Sequence, residues 1–176
     1  MKTRLTEKNL IRGHAQAVHP SVKSGKGVKT EKSITVNRSP EDVYAFWHTL
    51  ENLPRFMRHV ESVTSQGDGI SHWVIKTSHG HRLEWDARII EDKPGQMISW
   101  QSLEGADMDN AGSVWFTPVH AGNGTIVKVS MKYSPPGGKV GVAIAKFFGD
   151  DPGTEMLEDL TRLKDILERG EISGAM

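Results

Sequence analysis

The stretch RLEWDARI, residues 82–89, decides the fold, because apolar and polar side chains alternate along it without interruption. Every second position is apolar, namely Leu83, Trp85, Ala87 and Ile89. Successive side chains of a β-strand point to opposite faces of the sheet. The pattern therefore predicts a strand with one face buried and the other, which carries four charged side chains, in water.

Similar alternation continues on both sides of this segment. We predict seven strands, at residues 32–37, 59–65, 71–78, 81–91, 97–103, 112–118 and 125–133. The segments between the later strands are rich in Gly, Asn, Asp and Pro, at 66–69, 79–80, 93–96 and 122–124. Such compositions are typical of tight turns. Because the connections are short, strands that are neighbours in sequence should be neighbours in an antiparallel sheet.

A helical segment follows the first strand. Ser39 suits an N-cap and Pro40 suits the first helical position, while acidic residues follow where the helix dipole favours them. Asn52-Leu53-Pro54 should interrupt the helix before a second short amphipathic piece at residues 55–58. The pattern therefore predicts a helix-turn-helix after strand one.

A long amphipathic helix is predicted near the end of the chain. Its apolar stripe is Met156, Leu157, Leu160, Leu163, Ile166 and Leu167, with Glu158, Asp159, Arg162 and Lys164 opposite. Residues 138–149 have a helical pattern of their own, and we predict a break or kink at 149–153 where Pro152 restarts the helix. The long helix should cover the apolar face of the sheet.

Composition limits the classes of function. The 176 residues hold five Trp and no Cys, which excludes disulfides, thiolate catalysis and Cys-based metal sites. No apolar run approaches the roughly 18 residues of a membrane span. The first residues are basic and polar where a signal peptide would be apolar, so we expect a cytoplasmic protein.

Charge divides the chain into two parts. Residues 1–32 carry eight Lys and Arg against two Glu, although the whole chain has zero net charge. We predict a disordered basic arm over residues 1–29 and one domain over 30–172. The arm could contact an anionic membrane peripherally, but it lacks interleaved aromatic residues, and no specific nucleic-acid binding is expected.

Several strings resemble a known superfamily. They are NLPRFMRHVESV (52–63), EWDARIIEDKPGQMISWQSLEGADMDNAGSVWF (84–116), VSMKYSPPGGKVG (129–141) and DLTRLKDILERGEI (159–172). They are similar to a bacterial branch of the START-like, or SRPBCC, superfamily that is labelled cyclase/dehydrase. The superfamily includes polyketide cyclases, coenzyme Q-binding proteins and lipid-transfer domains. The resemblance implies an α+β helix-grip fold, in which a curved antiparallel sheet of about seven strands wraps a long C-terminal helix around a cavity.

The resemblance, together with the apolar inner face, predicts a site for a small lipophilic ligand, quinone-, lipid- or polyketide-like. The candidate ligand-binding residues are Trp73, Trp85, Trp100, Phe116, Met131, Tyr133, Phe147, Met156 and Leu160. Trp85, Trp100 and Tyr133 are the first choices because each offers a polar tip. We expect binding or transport without catalysis and without a cofactor. An ordinary apolar core is the alternative interpretation of the same residues.

An enzyme is the other open hypothesis. A polyketide cyclase, aromatase or dehydratase would need one ionisable side chain in the cavity, and no catalytic residue is identified from the sequence. Glu84 and Asp86 should point outward beside Arg82 and Arg88, although a register slip of one residue would turn both acids inward.

The histidines indicate no site of their own. His79 and His81 lack a third ligand nearby in sequence, so no metal site is predicted. The other candidates, His48, His59, His72 and His120, are scattered along the chain.

Overall fold

The computed structural model of this chain describes residues 28–76, 80–134 and 152–170. The elements in chain order are β1 (Val28–Val36), α1 (Pro40–His48), a 3₁₀ helix (Leu50–Arg55), β2 (Val60–Gly67), β3 (Ile70–Lys76), β4 (Arg82–Lys93), β5 (Met97–Ser102), β6 (Asp109–Pro118), β7 (Thr125–Ser134) and α2 (Pro152–Glu168). None of the helices within these described ranges is long and apolar enough to cross a membrane.

The seven strands form one antiparallel sheet in the order β1-β7-β6-β5-β4-β3-β2. From β2 to β7 each strand pairs with its neighbour in sequence, as the short turns predict, and β1 pairs with β7. The curved sheet with a C-terminal helix confirms the predicted fold class. β1 starts at Val28, four residues before the predicted start. Residues 1–27 lie outside the described residues, so the arm, its membrane contact and the cytoplasmic location stay predictions.

The faces of the sheet follow the alternation. In β4, Leu83, Trp85 and Ala87 are buried and the residues between them are exposed. Trp73 on β3 and Trp100 on β5 are buried on the same side. The predicted register is therefore confirmed, and a slip by one residue is excluded for β4.

Glu84 and Asp86 point outward as predicted, but their partner is not an arginine. His72 on β3 places its Nδ1 2.8 Å from Oδ1 of Asp86 and its Nε2 3.7 Å from Oε1 of Glu84. Asp86 lies directly opposite His72 in the β3–β4 pairing. The hydrogen bond to Asp86 is the main cause that raises the pKa of His72. Arg82 instead reaches Glu61, with 2.8 Å between Nη2 and Oε1.

The helical segment after β1 begins where the sequence predicts. Ser39 caps α1 by accepting a hydrogen bond from the Asp42 amide at 3.2 Å, and Pro40 opens the helix. The second piece differs from the prediction, because it is a 3₁₀ helix over Leu50–Arg55 and not a helical piece at 55–58. Asn52 donates from Nδ2 to the Phe46 carbonyl at 3.0 Å, which ties the tight turn to the end of α1.

α2 packs on the inner face of the sheet, and its start at Pro152 agrees with the prediction. Leu160, Leu163 and Leu167 are buried within the core. The preceding predicted helix, its kink and Phe147 lie outside the described residues.

The last turns of α2 are bound to the end of β1 by polar contacts. Nε of Arg38 donates to the Leu167 carbonyl, and Nζ of Lys164 donates to the Thr35 carbonyl, both at 2.8 Å. The Asn37 amide donates to Oε1 of Glu168 at 2.8 Å. These contacts hold the helix against the edge of the sheet.

A candidate ligand-binding cavity

A cavity of about 110 Å³ lies between the inner face of the sheet and the first turns of α2. Seven of the nine residues predicted to bind a ligand line it: Trp73, Trp85, Trp100, Met131, Tyr133, Met156 and Leu160. The inner face of β3, β4 and β5 supplies the three tryptophans, and α2 supplies Met156 and Leu160. The same alternation that builds the core therefore also builds the wall of the cavity.

Phe116 does not line the cavity, although it lies on the predicted inner face. It packs beneath α1, where its ring centroid is 5.8 Å from Tyr44 and 6.3 Å from Trp47. Alternation assigns a side chain to a face of the sheet but not to a position along it. Phe147, the other predicted residue, lies outside the described part of the chain.

Two stacked tryptophans form one wall of the cavity. Trp73 and Trp85 lie directly opposite each other on β3 and β4, with ring centroids 6.2 Å apart and an angle of 14° between the planes. Nε1 of Trp73 donates to Oγ of the buried Ser71 at 2.9 Å. Nε1 of Trp85 is buried without a hydrogen-bond partner among the described residues. The two indoles therefore differ in whether their N–H group is available.

Trp100 is held over Gly112, its neighbour on β6. A Cβ atom at position 112 would lie 2.4 Å from Cζ2 of Trp100 and 2.9 Å from Cε2, far inside van der Waals contact. The glycine is required here for close approach of the ring. It allows the indole of Trp100, which lines the cavity, to lie directly against the backbone of β6.

Ionisable side chains also line the cavity, and the sequence analysis did not predict them there. His59, Glu155 and Asp159 are among the lining residues. Nε2 of His59 lies 3.3 Å from Oε2 of Glu155, and their side chains are 19% and 32% exposed. His59 precedes β2 and Glu155 is in the first turn of α2, so no local motif joins them. The predicted apolar lining is thus only partly right.

Asp159 was predicted on the solvent side of α2, but it borders the cavity with 21% of its side chain exposed. Its Oδ1 accepts from the Arg58 amide at 3.2 Å and from Nη2 of Arg162. Burial raises the pKa of Asp159 despite these two donors. Asp159 is at the border of the apolar stripe, where helical spacing alone does not decide burial.

Other residues that line the cavity were not among the nine residues predicted to bind a ligand. Trp47 of α1, Phe56 after the 3₁₀ helix and Met108 before β6 contribute to the wall. Trp47 is four residues after Val43 and three before Leu50, and this apolar spacing of a helix is the sequence signal that could have found it. Burial raises the pKa of Tyr133 to about 12. Within the described ranges, no group of three His, Asp or Glu side chains could hold a metal ion.

A curved antiparallel sheet that covers a C-terminal helix, with an apolar cavity between them, is the architecture of START-like, helix-grip proteins. The model of the family described as "Polyketide cyclase / dehydrase and lipid transport" matches residues 36–161, and this chain belongs to that family.

The chain is also similar to individual proteins and solved structures. A 17.2 kDa protein of Streptomyces lincolnensis is 30% identical over 150 residues, which cover 83% of this chain and 94% of the relative. A crystal structure from Deinococcus radiodurans is 30% identical with a TM-score of 0.66, covering 81% of this chain and 98% of that one. The Zhui aromatase/cyclase of Streptomyces sp. R1128 also has a TM-score of 0.66, covering 81% and 94%, but its 14% identity supports the fold alone.

Proposed function

We propose that this chain binds a small lipophilic molecule in the cavity and serves as a carrier or sensor of it. The observation that supports the proposal is the lining, in which four tryptophans and four methionines surround a cavity of about 110 Å³. Apolar pockets with a few placed polar groups are the usual form of small-molecule sites. The membership of a family described by cyclases and lipid transport agrees with it.

The size of the cavity limits what it can hold. An engineered apolar cavity of about 150 Å³ in another protein accepts benzene, and sites for drug-sized ligands are roughly 300–1,000 Å³. A cavity of about 110 Å³ therefore suits one ring of a ligand. A polyketide- or quinone-like molecule would place one ring among the tryptophans, and its remainder would lie outside this space.

The first experiment is native mass spectrometry of the protein purified from its own host, followed by calorimetric titration with 1,4-naphthoquinone. We expect a bound lipophilic species or a measurable affinity. Trp100→Phe, which changes the cavity wall, should weaken binding at least fivefold. Trp115→Phe is the matched control, because Trp115 lies on the neighbouring strand β6 outside the cavity, beneath Nζ of Lys128 at 5.4 Å. No bound species and no affinity for quinones or lipids would refute the carrier.

A cyclase- or dehydratase-like enzyme is the second candidate, and the contact between His59 and Glu155 at the cavity favours it. Loss of water from a β-hydroxy ketone needs a base for the α-proton and an acid for the departing hydroxyl. An imidazole and a carboxylate side by side can exchange a proton in this way. The pair supplies a base and an acid, which a purely apolar cavity would lack.

This candidate is tested with 4-hydroxy-4-phenylbutan-2-one, whose dehydration gives a conjugated enone that absorbs in the near ultraviolet. An enzyme should accelerate the reaction, and His59→Gln should abolish the acceleration. His72→Gln is the control, since His72 lies on the outer face of the sheet. Absence of turnover, or an equal loss in both variants, would count against catalysis by this pair.

A further inference from the structure

An open depression with a basic lining lies between α2 and the 3₁₀ helix. It has a volume of about 470 Å³ and is lined by Arg55, Arg162, Asp165, Ile166 and Arg169, none of which lines the cavity. The last four residues have the spacing of one face of a helix, and Arg55 ends the 3₁₀ helix. Three guanidinium groups from two elements therefore border one space.

Two of the three arginines are held in place by contacts with the core. Nε of Arg162 donates to the Phe56 carbonyl at 2.9 Å, and its Nη2 donates to Oδ1 of Asp159. These contacts use two of the five N–H donors of the guanidinium group. The guanidinium carbon of Arg55 lies 5.2 Å from the centre of the Phe46 ring. Because both side chains are ordered in advance, a ligand that binds them loses less conformational entropy.

The positive charge of the depression is not neutralised. In the part of the chain that the structure describes, no ion pair joins Arg55 or Arg169 to an acid. The lining has three arginines against the single carboxylate of Asp165, which is exposed. The helix dipole favours a cation at position 169, directly after α2, but it does not account for Arg55 in another element. The lining is therefore suited to an anion.

A phosphate monoester matches this lining in charge and in shape. At neutral pH it carries close to two negative charges, and its three terminal oxygens accept paired hydrogen bonds from guanidinium groups. A carboxylate has one charge and two oxygens, so it leaves one guanidinium without a partner. Ile166 is half-buried in the same lining and offers an apolar surface to the organic part of the ester.

We propose that this depression is a second ligand site, which binds the phosphoryl group of an organic phosphate through Arg55, Arg162 and Arg169. The inference goes beyond the proposed function, because the site lies outside the cavity and does not depend on what the cavity holds. The phosphoryl group belongs either to a soluble phosphate ester or to a lipid headgroup, and the test separates these two sources.

Calorimetric titration of the whole chain compares phenyl phosphate with benzoate, which has the same ring but a carboxylate. Phenyl phosphate should bind roughly fivefold more tightly, and its affinity should fall below about pH 6 as the phosphate takes up a proton. Arg169→Gln should weaken phenyl phosphate binding about tenfold, as expected for a hydrogen bond between charged groups. Arg88→Gln is the matched control, because Arg88 is an exposed arginine of β4 outside the depression. Equal affinities for the two probes would overturn the phosphoryl assignment.

A substitution of opposite sign guards against a variant that merely fails to fold. Asp165→Asn removes the acid from the lining, so phenyl phosphate should bind about threefold more tightly. Asp68→Asn, in the exposed turn between β2 and β3, makes the same change of charge elsewhere and should have no effect. An equal gain in both variants would show that only the total charge matters, and the proposed site would fail.

The lipid source is tested by sedimentation with phosphatidylcholine vesicles, with and without phosphatidic acid, whose headgroup is a phosphate monoester. Binding that requires phosphatidic acid and is lost in Arg169→Gln, but not in Arg88→Gln, would identify a lipid headgroup. Binding of phenyl phosphate alone, with the same dependence on Arg169, would identify a soluble ester. If neither probe binds, or if the two variants lose affinity equally, the proposal is overturned. The titration with 1,4-naphthoquinone is independent of these outcomes, so the cavity is judged separately.

Discussion

The two ends of α2 differ in almost every physical respect, although one apolar stripe runs along both. At the C-terminal end, Leu163 and Leu167 are fully buried, and polar contacts bind the helix to β1. At the N-terminal end, Met156 is only partly buried and borders an unfilled space. The difference teaches that one helix can be packed into the core at one end and border a cavity at the other.

The pKa values of the acidic side chains at the two ends of α2 are shifted in opposite directions. Burial raises the pKa of Asp159 at the cavity. The Lys164 ammonium and the Asn37 amide lower the pKa of Glu168 at the other end. Because the two shifts have opposite sign, the two ends should respond in opposite ways to pH.

The largest expected effect comes from truncating the buried end. Leu163→Ala should lower the free energy of unfolding by about 2–5 kcal/mol, because it leaves a cavity in a packed core. Met156→Ala should cost less than about 1.5 kcal/mol, since Met156 already borders empty space. Urea denaturation of both variants measures the difference. Equal losses would contradict the contrast between the two ends.

Gly112→Ala tests the cavity itself. Its Cβ would lie 2.4 Å from Cζ2 of Trp100, so the indole must move toward the cavity. We expect a cost of about 1–3 kcal/mol from overpacking, together with loss of ligand binding as the space is filled. Thermal unfolding and calorimetric titration measure the two effects. Gly124→Ala is the control, because its Cβ would meet neighbouring atoms at an ordinary contact distance of 3.4 Å. If Gly112→Ala still binds the ligand, Trp100 does not move into the cavity.

Glu168→Gln tests the contacts at the C-terminal end. The folded pKa of Glu168 is lowered, so its contribution is present above the unfolded pKa of about 4.3 and is lost as pH falls through the folded value. We expect a loss of about 0.5–1 kcal/mol at pH 7 that disappears at pH 2–3. Glu158→Gln, at an exposed position of the same helix, should change little. A loss that does not depend on pH would contradict the assigned cause.

The smallest effect is expected for Asp159→Asn. A raised folded pKa means that wild-type stability falls as pH rises from the unfolded value of about 3.9 to the folded one. The amide keeps an acceptor for the Arg58 N–H and carries no charge, so stability at pH 7 should stay within about 0.5 kcal/mol of wild type. Denaturation curves at pH 4 and pH 7 compare the two proteins. A large loss at pH 7 would show that the ion pair with Arg162 outweighs burial.

The faces and neighbours of the strands could be predicted because both depend on local features. Alternation along β4 is set by the pleat, and the turn compositions fix which strands pair. The start of α1 was equally local, since Ser39 binds an amide only three residues away.

The polar part of the cavity could not be predicted because it depends on long-range packing. His59 and Glu155 are 96 residues apart, and no spacing rule joins them. Asp159 is at the border of a helical stripe, where the position of the partner element decides exposure. Phe116 shows the same limit for strands, because its ring packs against Tyr44 and Trp47 of α1 and does not line the cavity.

The outermost strands of the sheet are each engaged by a helical side chain. Lys164 of α2 binds the Thr35 carbonyl in β1, and Glu51 of the 3₁₀ helix accepts from the Ser65 amide in β2 at 3.0 Å. Unpaired backbone groups on such strands are templates for a strand from another molecule. Each contact occupies one backbone group of an edge strand, so α2 and the 3₁₀ helix leave fewer unpaired groups there for intermolecular strand addition.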